Sequence, residues 1–355
     1  MPPLPTGDLD FILARTAPLW EEIRKSRLFL TGGTGFFGCW LVESFLEANR
    51  RFELNAEIVV LTRSPDAFLR KCSHLANDRA LSLLQGDVCD FEFPSGEFRF
   101  VIHAATEASA KLIAEEPLRM LSTTLEGTKH TLEFAATHGT QKFLLTSSGA
   151  VYGEQPSSIS HIREDYAGAP NALDPTSVYS EGKRTSELMC AVYRAAYGIE
   201  CKVARCFAFI GPHLPLNAHF AIGNFLRDAM NGDTIQIVGD GTPKRSYMYA
   251  ADLAIWLWTI LFRAPSMEAF NVGSAHAISI AELAQAVSGA IGSSAACRIS
   301  QKAVPGARAR QYVPCVQKAE QQLGLKCEVS LEDAIRRTAA WHGYAMNAKA
   351  NGRQR

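Results

Sequence analysis

Tyr179 and Lys183 stand four residues apart in Tyr-Ser-Glu-Gly-Lys, a spacing that puts both side chains on one face of a helix. A free phenol ionises near pH ~10, too high for an efficient base at neutral pH. A lysine cation one turn away, with a second positive charge nearby, would bring that value down. Tyr179 would then accept a hydroxyl proton while hydride leaves the same carbon, or donate it in the reverse direction. Chance supplies many Tyr-x-x-x-Lys pairs, so this one needs company. It has it in Leu144-Leu-Thr-Ser-Ser148-Gly-Ala-Val-Tyr152-Gly153, where an apolar run ends in a serine turn. The Ser148 hydroxyl is placed there to bond the reacting oxygen and orient it for Tyr179; the plainer alternative is a turn-forming serine.

The hydride partner is written earlier in the chain. Arg27-Leu-Phe-Leu-Thr31 reads as a buried strand, Gly32-Gly-Thr-Gly-Phe-Phe-Gly38 follows, and Phe37, Leu41, Phe45 and Leu46 then fall at helical spacing. Glycine permits the tight turn and lets backbone N–H groups approach a pyrophosphate, and the helix N-terminus adds unpaired donors. In that strand–loop–helix setting, Gly32, Thr34, Gly35, Phe36, Phe37 and Gly38 are expected to bind a nicotinamide dinucleotide. The second strand ends Val60-Leu61-Thr62-Arg63-Ser64, without the carboxylate that would pair with a ribose 2′-hydroxyl. Thr62 and Arg63 suit a 2′-phosphate better, so the cofactor is read as NAD(P) with a lean to NADP. Asp87 and Val88, after the third strand, are expected at the adenine end. Ala104 and Ala105, after the fourth, are small enough to let the cofactor lie close.

These residues must be held by alternating strands and helices. Short apolar runs at 58–61, 81–84, 100–102 and 143–146 alternate with helical patterns, of which 121–136 is the clearest. Alternation of this kind implies a parallel sheet covered on both faces. The fold class is therefore α/β: a Rossmann-type doubly wound parallel sheet with a smaller C-terminal α/β substrate-binding lobe. Residues 1–25 read as an N-terminal helical extension and 26–210 as the dinucleotide-binding domain, with 247–265 returning to it. Residues 211–246 and 266–345 form the expected lobe, and 346–355 a flexible tail.

Bulk properties narrow the partners. Lys plus Arg equals Asp plus Glu at 36 each in 355 residues, so no global field draws a nucleic acid or a membrane surface. The longest apolar run, Leu253 to Phe262, is about half of what a bilayer needs. Nine scattered cysteines without a CxxC pair fit reduced thiols in a cytoplasmic protein. No metal site is expected, because the ligand spacings are absent.

Taken together, Thr31-Gly-Gly-Thr-Gly-Phe-Phe-Gly38, Ser147-Ser-Gly-Ala-Val-Tyr-Gly153, Tyr179 with Lys183, Arg205-Cys-Phe-Ala-Phe-Ile-Gly-Pro212, Asn224-Phe225, Gly239-Asp-Gly-Thr-Pro-Lys-Arg245-Ser-Tyr and Asn271-Val-Gly273 carry a resemblance. The chain resembles the extended short-chain dehydrogenase/reductases, specifically their nucleotide-sugar epimerase/dehydratase branch, from about Leu28 to Trp341. The resemblance implies Tyr179 as acid/base, Lys183 as its partner and a ribose ligand, and Ser148 as hydroxyl donor to the sugar. It implies Asn224, Arg245 and Arg310 as ligands of the substrate's nucleotide diphosphate. It also implies a homodimer, paired through helices near 115–135 and 178–198.

The departures from the family pattern bear on the reaction. The 4,6-dehydratases it resembles carry Asp-Glu directly after the serine or threonine, and related uronate decarboxylases place a glutamate there. Here the positions are Gly149 and Ala150, which move no proton. Further departures are Ala208 for an asparagine after Arg-x-Phe, Thr124 for an asparagine before Gly127-Thr128, and Cys315 for an aspartate after Tyr-Val-Pro. An NDP-hexose 4-epimerase working through a 4-keto intermediate is ranked first, because the serine pattern is more typical of epimerases. An NADPH-dependent NDP-4-keto-6-deoxyhexose reductase is second; a 4,6-dehydratase, a uronate decarboxylase and a non-catalytic nucleotide-binding protein are ranked below both.

Overall fold

A computed structural model describes residues 1–106, 110–218, 220–306 and 308–345. The expected tail at 346–355 lies outside them. Strands β1 (Arg27–Thr31), β2 (Glu57–Thr62), β3 (Leu81–Gln85), β4 (Phe100–His103), β5 (Lys142–Ser148) and β6 (Glu200–Cys206) join the strand Ala269–Val272 in one seven-stranded sheet. The order is Ala269–Val272, β6, β5, β4, β1, β2, β3, and every pairing is parallel. The order reverses between β1 and β4, which opens a crevice at their carboxyl ends.

Parallel strands buried on both faces read as unbroken apolar runs, and the pleat sorts their side chains. Leu28, Leu30, Ile58, Val60, Phe100, Ile102 and Leu144 enter one core, with Trp40, Phe45, Trp256 and Trp258 from the helices Phe36–Arg51 and Ala250–Arg263. Phe29, Val59, Leu61, Val101, Phe143 and Leu145 enter the other, with Leu132, Phe134 and Cys190 from the helices Pro117–Thr137 and Val178–Tyr197. These two helices lie side by side: a Cβ at Gly182 would sit 3.0 Å from Thr124 Cγ2. The N-terminal helix Thr6–Thr16 and the 3-10 turn Ala17–Ile23 close the first core, with Trp20 4.8 Å from Trp258 between ring centroids.

Beyond β6 the elements shorten. Lys244–Arg245 pairs antiparallel with Ile278–Ser279 and parallel with Gln311–Tyr312, while Ile235–Ile237 pairs with Cys297–Ile299. Ala269–Val272 lies inside the stretch read as lobe but is the edge strand of the main sheet. Four residues with a buried Asn271 among them give no apolar run to read. Among the described residues, no helix is long and apolar enough to cross a membrane.

Candidate active site

The glycine loop owes its shape to crowding. Gly32 has φ +72°, and a Cβ there would fall 2.4 Å from the Ala104 carbonyl oxygen. Gly35 caps the helix Phe36–Arg51 with extended backbone, and the first amides of that helix are left for a ligand. A Cβ at Gly38 would meet Gly32 O, Gly33 C and Gly33 Cα, each at 2.3 Å, so the helix touches the loop there. Thr31 anchors β1 to the β4 turn: its Oγ1 accepts from the Ala104 and Ala105 amides, both at 3.2 Å.

A cleft of about 570 Å³ opens over this loop. Gly32, Thr34 and Gly35 line its floor, Thr62 and Arg63 one end, Asp87 and Val88 a wall, and Ala104 and Ala105 the side toward β4. Phe36, Phe37 and Gly38 stand behind it in the first helical turn, where Phe37 packs edge-on against Phe209. The cleft also holds Lys71, whose Nζ donates to the Thr34 carbonyl at 3.2 Å, and Thr106. Sequence reasoning passed over both, since neither sits in a motif; the one signal for Lys71 is its place on the helix that follows Arg63. Glycines without room for a Cβ, free helix amides and a cation-lined end suit a dinucleotide.

The three residues expected to react, Ser148, Tyr179 and Lys183, meet at the carboxyl edge of β5. Ser148 ends that strand, and its Oγ accepts from the Ala150 amide at 3.1 Å. Tyr179 and Lys183 open the helix Val178–Tyr197 beside it. The Lys183 ammonium is buried and donates to Thr106 Oγ1 (3.0 Å) and to the Thr146 carbonyl (2.8 Å). Burial pushes Tyr179 up to about 12, with the adjacent Ser148 hydroxyl pulling the other way. Burial likewise draws Lys183 down to about 8, opposed by Cys206 and Glu187. Burial leads both shifts; the lowering expected of the phenol counts the positive charge of a bound nicotinamide as well as that of Lys183.

A second phenol was missed. Tyr312 reaches the same place from the strand Gln311–Tyr312, and the Ser148 hydroxyl and Tyr179 both act on its ionisation. Burial drives its pKa well above the ordinary phenol range. Its ring packs on Phe207, 4.7 Å between centroids, with the Arg245 guanidinium 5.5 Å from the ring centre. Phe207 explains Gly149: a Cβ there would lie 2.6–2.8 Å from three carbons of that ring.

Of the implied diphosphate ligands, Arg245 is therefore brought beside Tyr312. Arg310 is exposed, one residue before that strand, with Glu154 3.6 Å away. Asn224 lies on the helix Ala221–Asn231, its Oδ1 accepting from Arg227 Nη1 at 3.4 Å.

Behind the site, buried polar chains fix its parts. The Thr31 hydroxyl lies 2.9 Å from His103 Nδ1, His103 Nε2 3.2 Å from Thr128 Oγ1, and Thr128 Oγ1 2.9 Å from Ser186 Oγ. Thr31 already accepts two amides, so its hydroxyl donates to Nδ1 and the neutral ring donates from Nε2. Burial, aided by Lys183, lowers His103 to about 3, in keeping with a neutral ring. A second chain joins Ser147, Glu187, Arg205, Tyr152 and Asn271. Ser147 Oγ donates to Glu187 (2.5 Å), Arg205 to Glu187 (2.7 Å) and Tyr152 (2.9 Å), and Tyr152 to Asn271 (2.7 Å).

A doubly wound parallel sheet, a glycine loop at its switch point and a Ser–Tyr–Lys cluster on the next strand edge define an extended short-chain dehydrogenase/reductase. More particularly, the chain belongs to the NAD dependent epimerase/dehydratase family, whose model matches residues 28–273. UDP-glucuronic acid decarboxylase 1 of Danio rerio is 28% identical over 333 residues, covering 94% of this chain and 76% of that protein. UDP-glucuronic acid decarboxylase 6 of Arabidopsis thaliana is 28% identical over 325 residues, covering 90% and 91%. Among solved structures, UDP-glucose 4-epimerase of Thermotoga maritima aligns with TM-score 0.73 at 22% identity, covering 89% of this chain and 98% of that one. A dTDP-glucose 4,6-dehydratase of Streptomyces venezuelae aligns with TM-score 0.75 at 24% identity, covering 89% and 97%. Those structural likenesses establish the shared fold.

Proposed function

We propose that the chain is an NAD(P)-dependent enzyme that inverts C4 of a nucleotide-linked hexose through a 4-keto intermediate. The observation that carries this reading is the combination of Ser148, Tyr179 and Lys183 with Gly149 and Ala150. Oxidation of a carbinol and its reversal need one proton carrier at the hydroxyl. Elimination and the decarboxylation of the curated relatives go with carboxylates at 149 and 150 in the family pattern, and the Phe207 ring fills the space of a side chain at 149.

The glycine loop and the amides after Gly35 would hold the dinucleotide diphosphate, and Thr62 with Arg63 its adenosine ribose. Bound there, the nicotinamide supplies a hydride acceptor and donor. Tyr179 takes the C4 hydroxyl proton and returns it after the keto sugar has turned its other face. Ser148 orients that oxygen, and Lys183 holds a ribose hydroxyl and supplies positive charge beside the phenol. Its two hydrogen bonds to Thr106 and Thr146 keep the ammonium in place. Arg245, with Asn224 and Arg310, would take the substrate's diphosphate. Exposed Leu188 and Val192, one turn apart on the Val178–Tyr197 helix, support pairing of that face with a second copy.

The reductase reading has its own support: Arg63, at the end of the second strand where a 2′-phosphate would sit, lines the cleft, and Lys71 adds a second cation to that cleft. Incubation with UDP- and dTDP-hexoses, with and without added NADPH, separates the two. A C4 epimer formed without added reductant supports the proposal. Stoichiometric NADPH loss with a 4-keto sugar moves the assignment to the reductase, and binding without product refutes both. Tyr179→Phe is expected to cut turnover by about 10²–10⁴-fold while nucleotide-sugar affinity is kept.

A further inference from the structure

Behind the glycine loop, three distant segments bring two thiols and an imidazole together. Cys39 lies in the first turn of the helix Phe36–Arg51, Cys72 caps the helix Pro65–Lys71, and His213 sits in the turn after Gly211-Pro212. Their ligand atoms lie within 4.8 Å of one another, and all three residues are buried. We propose that Cys39, Cys72 and His213 form a metal site for a thiophilic divalent ion, zinc in the first instance.

Four observations carry it. First, His213 Nδ1 is buried and has no hydrogen-bond partner. An orphaned buried nitrogen is costly, and a metal bond removes that cost. Second, the other ring nitrogen, Nε2, lies 3.3 Å from Glu43 Oε1. A carboxylate on the far side of the ring fixes the tautomer that leaves Nδ1 free, as is usual for metal-bound histidines. Glu43 is itself buried and held by the Leu4 amide at 2.8 Å. Third, His213 has φ +69°, a left-handed backbone that a non-glycine residue adopts at a cost. Fourth, the charges balance: on binding, both thiols release their protons to solvent, and two thiolates neutralise a divalent ion.

The dimensions agree. Bonds of ~2.3 Å to sulfur and ~2.0 Å to nitrogen put tetrahedral donors roughly 3.5–3.8 Å apart, so donors within 4.8 Å close on an ion by shifts of about 1 Å. The ion would tie the helix after the glycine loop to the helix that carries Lys71. Spacing rules do not reveal such a site, because its ligands are far apart in sequence and form no local motif.

The test uses the full chain, stripped with chelator under reducing conditions, then given Zn²⁺ or Co²⁺. Expected are one zinc per chain, a Tm that rises with zinc concentration, and a thiolate-to-cobalt charge-transfer band. Zinc should also shield the Cys39 and Cys72 peptides from alkylation relative to the stripped protein, a comparison that needs no variant. Cys72→Ser and His213→Asn should each abolish the band and the Tm shift, and Glu43→Gln should weaken zinc by about 10–100-fold. Lack of stoichiometric uptake by the reduced wild-type chain overturns the proposal. So does a cobalt band that survives Cys72→Ser, or equal alkylation of both cysteines with and without zinc.

Discussion

Gly38→Ala sets local propensity against packing, and the two disagree in sign. Gly38 lies in a regular helix, where alanine is favoured over glycine by about 0.8–1.0 kcal/mol. Its added methyl, however, would lie 2.3 Å from Gly32 O, Gly33 C and Gly33 Cα. Those distances are more than 1 Å inside ordinary contact, at roughly 3.5–4.0 Å, and all three atoms are backbone that cannot swing away. Overpacking of this kind costs about 1–3 kcal/mol and sometimes more. With three backbone contacts violated the upper part of that range applies, so a net loss of about 2 kcal/mol is expected. Gly289→Ala is the matched control: it too is helical, and nothing lies within 4 Å of its added Cβ. It should gain about 0.8–1.0 kcal/mol. Urea unfolding of the two variants beside the wild-type chain measures both. A Gly38→Ala protein as stable as wild type would refute the claim that the loop and helix are in backbone contact.

Three further outcomes follow from named groups. Folding lowers Lys183 from 10.5 to about 8, so between those pH values the unfolded chain binds more protons and stability rises with pH. Lys183→Met should therefore stabilise the fold at pH 7, by up to ~3 kcal/mol before the loss of two hydrogen bonds, with the gain gone above pH 10.5; unfolding at pH 7 and pH 10 checks it. Arg63→Ser should weaken NADP by about 10–100-fold and leave NAD within about twofold, read by titration with each dinucleotide. Glu187→Ala strands the half-buried Arg205 guanidinium, and a stability loss of about 3 kcal/mol is expected in urea unfolding.

How much of this was legible in the chain depends on how local each signal is. β1, β2 and β5 are readable because both faces of a parallel sheet are buried, so the strands are apolar without interruption. Tyr179, Lys183 and Ser148 are readable because helical spacing and a strand edge put them in short segments. Ala269–Val272 is not, since its Asn271 is buried to bond Tyr152 and the carbonyls of Ile162 and Cys315. Lys71 and Thr106 enter the site from segments that carry no motif, and Tyr312 stands in the Tyr-Val-Pro pattern without a role that its sequence reveals. The burial that raises Tyr179 is illegible for a related reason. A spacing rule counts the neighbouring charge, whereas desolvation is set by everything packed around the phenol.

The ring of Phe207 has a consequence for redesign. On the proposed reading, writing Asp-Glu at 149 and 150 to introduce elimination chemistry meets an aromatic side chain that also braces Tyr312, so the Phe207 ring must shift to admit the first carboxylate. Trimming position 207 makes that room, and the phenol it supports then needs a new wall. A library that varies the two positions after Ser148 should therefore vary position 207 with them, so that the ring can give way.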